Sequence, residues 1–226
     1  MIDVALLGSI ALIHTLALAS PGPDFAIMLR VSTRQPRSVA LMTALGIALA
    51  ILVHTLASLT GLGLIIHTTP WLFVLVQAIG AIYLGYMGVG ALLSVRKHWV
   101  RKHWAEGQSQ QLTDTPAADE PALGNGRGLR LGLYTNLFNP KALVFFLTLF
   151  SAMVGPEVNT ETRLSLLLLM FALSFAWFGL LALLLTKPGV KQALVRIGPV
   201  IDLITGALFL LVSVGILASL LSDLLS

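Results

Sequence analysis

Two short segments put charge inside apolar sequence. Ser20-Pro21-Gly22-Pro23-Asp24 interrupts a greasy run that starts near Val4 and resumes at Phe25, and Asn136 to Lys141, with Asn139-Pro140 at its centre, interrupts a second. In each, a helix-breaking proline is followed at once by one ionisable side chain, Asp24 after Pro23 and Lys141 after Pro140. Proline has no N–H and its ring clashes with the preceding turn, so Pro21-Gly22-Pro23 and Asn139-Pro140 are predicted to break their helices. A break frees carbonyls on one side and exposes N–H groups at the start of the next half-helix. At membrane depth such groups persist only where they face protein or a water-filled cavity. An ionisable side chain there costs about 2.5–3.5 kcal/mol on insertion scales and marks a functional position by default. A half-helix N-terminus attracts anions. Lys141 at such an N-terminus therefore suits a carboxylate, Asp24 suits an ammonium group, and Asn136 and Asn139 can add neutral hydrogen bonds. A free amino acid carries those two charges. The competing expectation is an ion pair between Asp24 and Lys141 that fixes packing without touching a ligand.

Three further polar positions sit in apolar sequence. His14 and His54 titrate near neutrality and could carry a coupling proton, or could simply hydrogen-bond a neighbouring helix. Asp202 follows Pro199 at the expected opening of the last apolar segment, where it either enters the cavity or favours a helix N-terminus. His14, Asp24, His54 and Asp202 together could serve a metal or small-ion permease, the alternative function, although a fixed cation at Lys141 would repel metal. No phosphate-binding loop, catalytic Ser-His pair or metal-ligand motif is present in the sequence. An enzyme is not expected, and neither is a cofactor.

The elements that must position these residues follow from composition. Of 226 residues, 57% are hydrophobic and 11% charged, with a mean hydropathy of +0.91. Soluble domains average roughly 25% charged residues, so this chain's solvent is lipid. Six apolar segments, at about 4–29, 39–66, 71–95, 131–154, 164–186 and 199–221, are each long enough to span. Helices are the expected form, because backbone groups in hydrocarbon must pair internally, and the lack of polar–apolar alternation disfavours a barrel. The fold class is thus all-α, a polytopic membrane protein of six transmembrane helices with the first and fourth broken.

The charge of +4 reports topology and not a nucleic-acid partner. Lysine and arginine collect between segments one and two (Arg30, Arg34, Arg37), three and four (Arg96 to Arg130), and five and six (Lys187, Lys191, Arg196), against Arg163 alone in the other loops. Positive loops face the cytoplasm, which places both termini outside. Met-Ile-Asp is not a basic n-region, so residues 4–19 are expected to be retained and not cleaved as a signal peptide. The absence of cysteine excludes disulfide and thiolate chemistry. "RKHWVRKHW" at 96–104 suits an interfacial anchor of basic and aromatic side chains. Residues 105–127, rich in Gly, Pro, Gln, Asp and Ala, suit a flexible linker. The expected organisation is a first three-helix repeat (1–95), a basic cytoplasmic linker (96–130) and a second three-helix repeat (131–226). Three spans per half require the halves to be inverted, and aligning Pro23 with Pro140 places Asp24 on Lys141. Inverted repeats with interrupted helices are a transporter signature. Gly80, Gly85, Gly88 and Gly90 in the third segment offer close packing, within the chain or across a homodimer.

"SPGPDFAIMLR", "GAIYLGYMG", "TNLFNPKALVFF" and "IDLITGALF" together resemble the lysine-exporter/homoserine-threonine-exporter (LysE/RhtB) family, most closely its threonine/homoserine branch. The match runs along nearly the whole chain except the linker. The resemblance implies a multi-pass protein of the bacterial inner membrane that exports amino acids using the proton gradient. It also places Pro21, Gly22, Pro23, Asp24, Asn139, Pro140 and Lys141 in the translocation core.

Overall fold

The computed structural model describes residues 1–20, 22–104, 123–155, 157–185 and 188–225, with backbone alone at 62–68, 70, 96–104, 188–195 and 223–225. They form eight helices: α1 (Val4–Ala19), α2 (Pro23–Arg34), α3 (Arg37–Thr68), α4 (Pro70–Trp104), α5 (Asn125–Leu137), α6 (Pro140–Met153), α7 (Thr160–Leu184) and α8 (Pro188–Leu225). The described residues contain no strand.

The two predicted breaks are present. Pro23 and Pro140 open α2 and α6 at the first helical turn, where a missing N–H removes no hydrogen bond. The axes of α1 and α2 meet at 58°, and so do those of α5 and α6. Pro21 lies outside the described residues. Four stretches are long and apolar enough to cross a bilayer: Arg37–Gly61, Trp71–Val95, Thr160–Leu184 and Arg196–Ser222. The two bent pairs bring the total to as many as six.

The hub is α3, which packs against α5, α7, α6, α2 and α4. Of its most apolar window 61% is buried, against 22% for α4 and 28% for α8, so α4 and α8 lie at the periphery of the bundle. Ile79, Ile82, Tyr86, Val89 and Leu93 stand exposed on α4 at alternating spacings of three and four, which is one continuous face. Inside, Ile10, Met28, Ile47, Ile51, Phe150, Leu166 and Met170 belong to a single core cluster.

Small residues set how closely the helices approach. On the α3–α5 seam a methyl group at Gly46 would overlap the Leu129 carbonyl oxygen, and one at Gly132 would overlap that of Thr43. Backbone meets backbone there. On the α4–α8 seam, a Cβ at Gly88 would lie 2.8 Å from the Gly206 carbonyl and one at Gly206 2.9 Å from the Gly88 carbonyl. Gly80 and Gly85 abut Thr148 and Ser213, whereas Gly90 borders open space. Three of the four glycines singled out in the sequence thus pack within the chain. Polar stitches join α4 to its neighbours: Ser213 Oγ of α8 donates to the Ala81 carbonyl (2.7 Å), and Gln77 Nε2 donates to the Ser151 carbonyl of α6 (2.8 Å).

Two boundaries differ from expectation. The segment assigned to the linker, 96–130, is helical at both ends, since α4 continues to Trp104 and α5 begins at Asn125. Residues 105–122 lie outside the described residues, and so do the side chains of "RKHWVRKHW". The last apolar segment runs over Arg196–Ser222, close to expectation, but no helix opens at Pro199, which sits inside α8. Asp202 is accordingly at no helix N-terminus. It accepts a 2.7 Å hydrogen bond from Ser94 Oγ across the α4–α8 seam.

Candidate functional site

A cavity lies where the two breaks meet. It is lined by His14, Ala17, Leu18, Ser20, Gly22, Asp24, Phe25 and Ile51 from the first half and by Asn136, Asn139, Lys141, Ala142, Phe145, Phe146 and Phe178 from the second. Of the positions assigned to substrate from sequence, Gly22, Asp24, Asn136, Asn139 and Lys141 come together here. Pro23 and Pro140 adjoin it as the first residues of α2 and α6 but do not line it.

The charges are held crosswise. Asp24, on the first turn of α2, is gripped by the other break: Asn136 Nδ2 and Asn139 Nδ2 both donate to its Oδ2, at 3.0 and 3.1 Å. Lys141, on the first turn of α6, reaches back to the first break, where its Nζ donates to Ser20 Oγ at 2.9 Å. Its chain crosses over Gly22, where a Cβ would lie 3.5 Å from Nζ. Asp24 and Lys141 do not form an ion pair with each other. Each is fixed by neutral partners and keeps unused capacity. Asp24 Oδ1 is buried without a partner, and an ammonium has three donors, of which Lys141 gives one to Ser20. A cation on the first turn also opposes the helix dipole, so α6 itself gains nothing from Lys141. Asn139 completes the frame by capping α6, its Oδ1 accepting the Lys141 N–H at 3.0 Å.

Asn136 shows how the break is sealed. In an unbroken helix its carbonyl would accept from the residue four places on, but that residue is Pro140. Instead it accepts from the Asn139 N–H at 3.0 Å and from His54 Nε2 of α3 at 3.2 Å. A carbonyl can only accept, so Nε2 carries the His54 proton. His54 stacks on Phe146 behind the cavity and is not among its lining residues. The Asn136 side chain has its amide nitrogen on Asp24, which leaves Oδ1 buried and unpartnered.

His14 does line the cavity and is 1% exposed. Its Nε2 lies 2.8 Å from Ser174 Oγ, and that hydroxyl gives its one proton to the Met170 carbonyl at 2.6 Å. Ser174 must therefore accept from His14, so Nε2 is protonated and Nδ1 holds a free lone pair. Nδ1 has no partner, and the His14 ring packs against Phe145 and Phe146, which with Phe178 line the same cavity. Asp202 lies outside the lining. Among the described residues no three His, Asp or Glu side chains gather, so the four suggested permease ligands do not form a set.

Ser20 and the phenylalanines were not singled out in the sequence. Phe145 stands one turn beyond Lys141 on α6, a spacing that could have flagged it. Nothing local marks Ser20, whose role depends on a side chain 121 residues away.

The LysE type translocator family model matches residues 15–220. The chain is 34% identical over 201 residues to a threonine efflux protein of Escherichia coli (strain K12), covering 89% of this chain and 92% of that one. It is 33% identical over 204 residues to a threonine efflux protein of Salmonella typhi, again covering 89% and 92%. A leucine efflux protein of Klebsiella pneumoniae is 30% identical over 142 residues, 63% of this chain and 59% of that one. No solved structure matches the chain.

Proposed function

This chain belongs to the LysE type translocator family, and from that premise we propose that it exports a small hydroxyl-bearing amino acid, threonine or a close relative, in exchange for a proton. The observation that carries the proposal is the set of unsatisfied atoms around one cavity. Asp24 Oδ1 and Asn136 Oδ1 are acceptors without donors and suit a substrate ammonium group. Lys141, with the N-terminus of α6 beneath it, suits the carboxylate. His14 Nδ1, the third unpartnered acceptor, belongs to a ring packed against Phe145 and Phe146 and suits a side-chain hydroxyl. Buried polar groups left unpaired cost about 1–3 kcal/mol each, and this substrate would satisfy all three.

The same lone pair on His14 gives the exchange. A proton on Nδ1 and a substrate hydroxyl compete for it, so loading one releases the other. One proton moving down 100 mV is worth about 2.3 kcal/mol; at about 1.4 kcal/mol per decade, that sustains roughly a forty-fold substrate gradient. The cavity holds about 40 Å³ of water-accessible space, which admits a few waters but not an amino acid, so loading requires the bent helix pairs to part. Two inverted repeats of three spans fit that motion. Exchanging α1–α4 with α5–α8 maps the α3–α5 contact onto α7–α1 and α3–α6 onto α7–α2, and leaves α3–α7 and α4–α8 on themselves, whereas α4–α6 has no comparable counterpart between α8 and α2.

Inside-out vesicles test the activity. Threonine uptake driven by an imposed proton gradient is expected, with valine, its hydroxyl-free isostere, taken up at least about tenfold less well, the worth of one hydrogen bond. His14→Phe keeps the stacked ring and removes the lone pair. It is expected to level threonine with valine and to abolish the response to the gradient together. A variant that keeps either property intact would remove His14 from this mechanism.

The orientation has its own test. With no native cysteine, Ser226→Cys is expected to react with an impermeant thiol reagent on whole cells and Ser109→Cys to be protected, because positive loops stay inside. The reverse labelling pattern would invert the topology and the direction of transport with it.

A further inference from the structure

A second cavity lies along the same pair of helices as the first. It offers about 280 Å³ of water-accessible space, against about 40 Å³ in the central one. Arg30, Val31 and Gln35 line it from α2 and its C-cap, and Leu123, Arg127 and Leu131 from α5 and the residues before it. Arg30 and Val31 follow Asp24 by six and seven residues on α2, about 9–10 Å of helix. Leu131 and Arg127 precede Asn136 by five and nine on α5, about 8–14 Å. Since α2 packs on α5, both cavities lie along the seam of these two helices, the second toward the arginine-rich end.

Its polar lining is made of donors. Two guanidiniums carry only N–H groups. Gln35 Oε1 is taken by the Leu123 N–H at 2.7 Å, which fixes the amide so that its Nε2 faces away from that bond. Gln35 is 9% exposed, and its Nε2 is buried with no acceptor. No acidic side chain lines the cavity among the described residues. A roomy site with the Arg127 guanidinium and an unsatisfied buried donor suits an anion, and Arg30, itself already engaged, adds positive charge to its wall.

We propose that this cavity is a loading station for the substrate's carboxylate, which docks on Arg30, Arg127 and the Gln35 amide before passing along the α2–α5 seam to Lys141. This rests on the amino-acid export argued above. A lipid phosphate shares the chemistry of a carboxylate, and the test separates the two.

Leu131→Cys places a thiol in the station. It is combined with Asp24→Asn and Lys141→Met, which remove the central charges, and labelled by a thiol reagent in inside-out vesicles of phosphatidylcholine. Threonine is expected to slow labelling about tenfold at a concentration about ten times its dissociation constant, since an occupied site excludes the reagent. Threoninol, which lacks the carboxylate, is expected to give no protection. Gln35→Glu keeps the acceptor for Leu123 but puts an anion in the cavity, and is expected to abolish protection by threonine. Absence of protection, or equal protection by threoninol, overturns the proposal. Protection without threonine on adding phosphatidylglycerol also overturns it, by assigning the site to a lipid. If wild-type vesicles take up no amino acid while threonine still protects Cys at position 131, export is refuted and the carboxylate site stands. Uptake by the wild type without protection at position 131 refutes the carboxylate site and leaves export standing.

Discussion

Asp24→Asn with Lys141→Met is expected to yield a protein that inserts and melts like the wild type and no longer exports. The two side chains are not bonded to one another. Asp24 is held by Asn136 and Asn139, and Lys141 by Ser20. An asparagine at position 24 still presents an oxygen to both amides, so that lattice survives. Truncating one side of a buried, hydrogen-bonded charge pair costs about 2–5 kcal/mol. If those lost contacts are with the substrate, efflux falls at least about thirtyfold for either single change, at about 1.4 kcal/mol per decade. Stability should show only weak coupling between the two sites, because neither side chain bonds the other and the partner they share, Asn139, holds Lys141 by its backbone N–H, which both substitutions keep. Melting of both singles and the double, alongside efflux, decides the matter. A double variant that regains the stability lost by the singles and exports normally would make the two charges a purely structural device.

Gly132→Ala is expected to cost most of any single methyl group added to this chain. That methyl is directed at the Thr43 carbonyl, and a backbone oxygen inside α3 cannot swing aside as a side-chain tip can. Overpacking costs about 1–3 kcal/mol where neighbours relax, and here the upper end or more is expected. Because α3 is the hub, parting it from α5 also opens the face that holds Asn136. Gly90→Ala is the control: open space surrounds it, and replacing glycine within a helix gains up to about 1 kcal/mol. Equal melting temperatures for the two variants would show that the α3–α5 seam is looser than its backbone contacts require.

Both breaks were legible in the sequence because proline removes a donor wherever it stands, and hydropathy alone located the apolar segments. The ends of helices were less legible. Arginine and lysine are good helix formers, so "RKHWVRKHW", expected as an interfacial anchor within the basic segment 96–130, continues α4 to Trp104. Pro199 looked like a start and lies inside α8, which left Asp202 facing Ser94. At the site, proximity of Asp24, Asn136, Asn139 and Lys141 followed from aligning the two breaks. Their crossed partnership did not, because it depends on how the two halves sit against each other. His54 illustrates the same limit. That Pro140 orphans the Asn136 carbonyl can be deduced from spacing, but that a histidine 82 residues earlier fills the vacancy cannot.

The crossed hold on Asp24 has a consequence for how this chain is made. Its two amide donors lie 112 and 115 residues downstream. At about 5–20 residues per second of synthesis, Asp24 leaves the ribosome roughly 6–23 s before either exists. Over that interval a lone carboxylate at membrane depth would bear about 2.5–3.5 kcal/mol with nothing to offset it. The Pro23–Arg34 helix therefore has reason to wait at the bilayer surface or beside the insertion machinery until α5 and α6 arrive, and the first span in sequence becomes one of the last to settle.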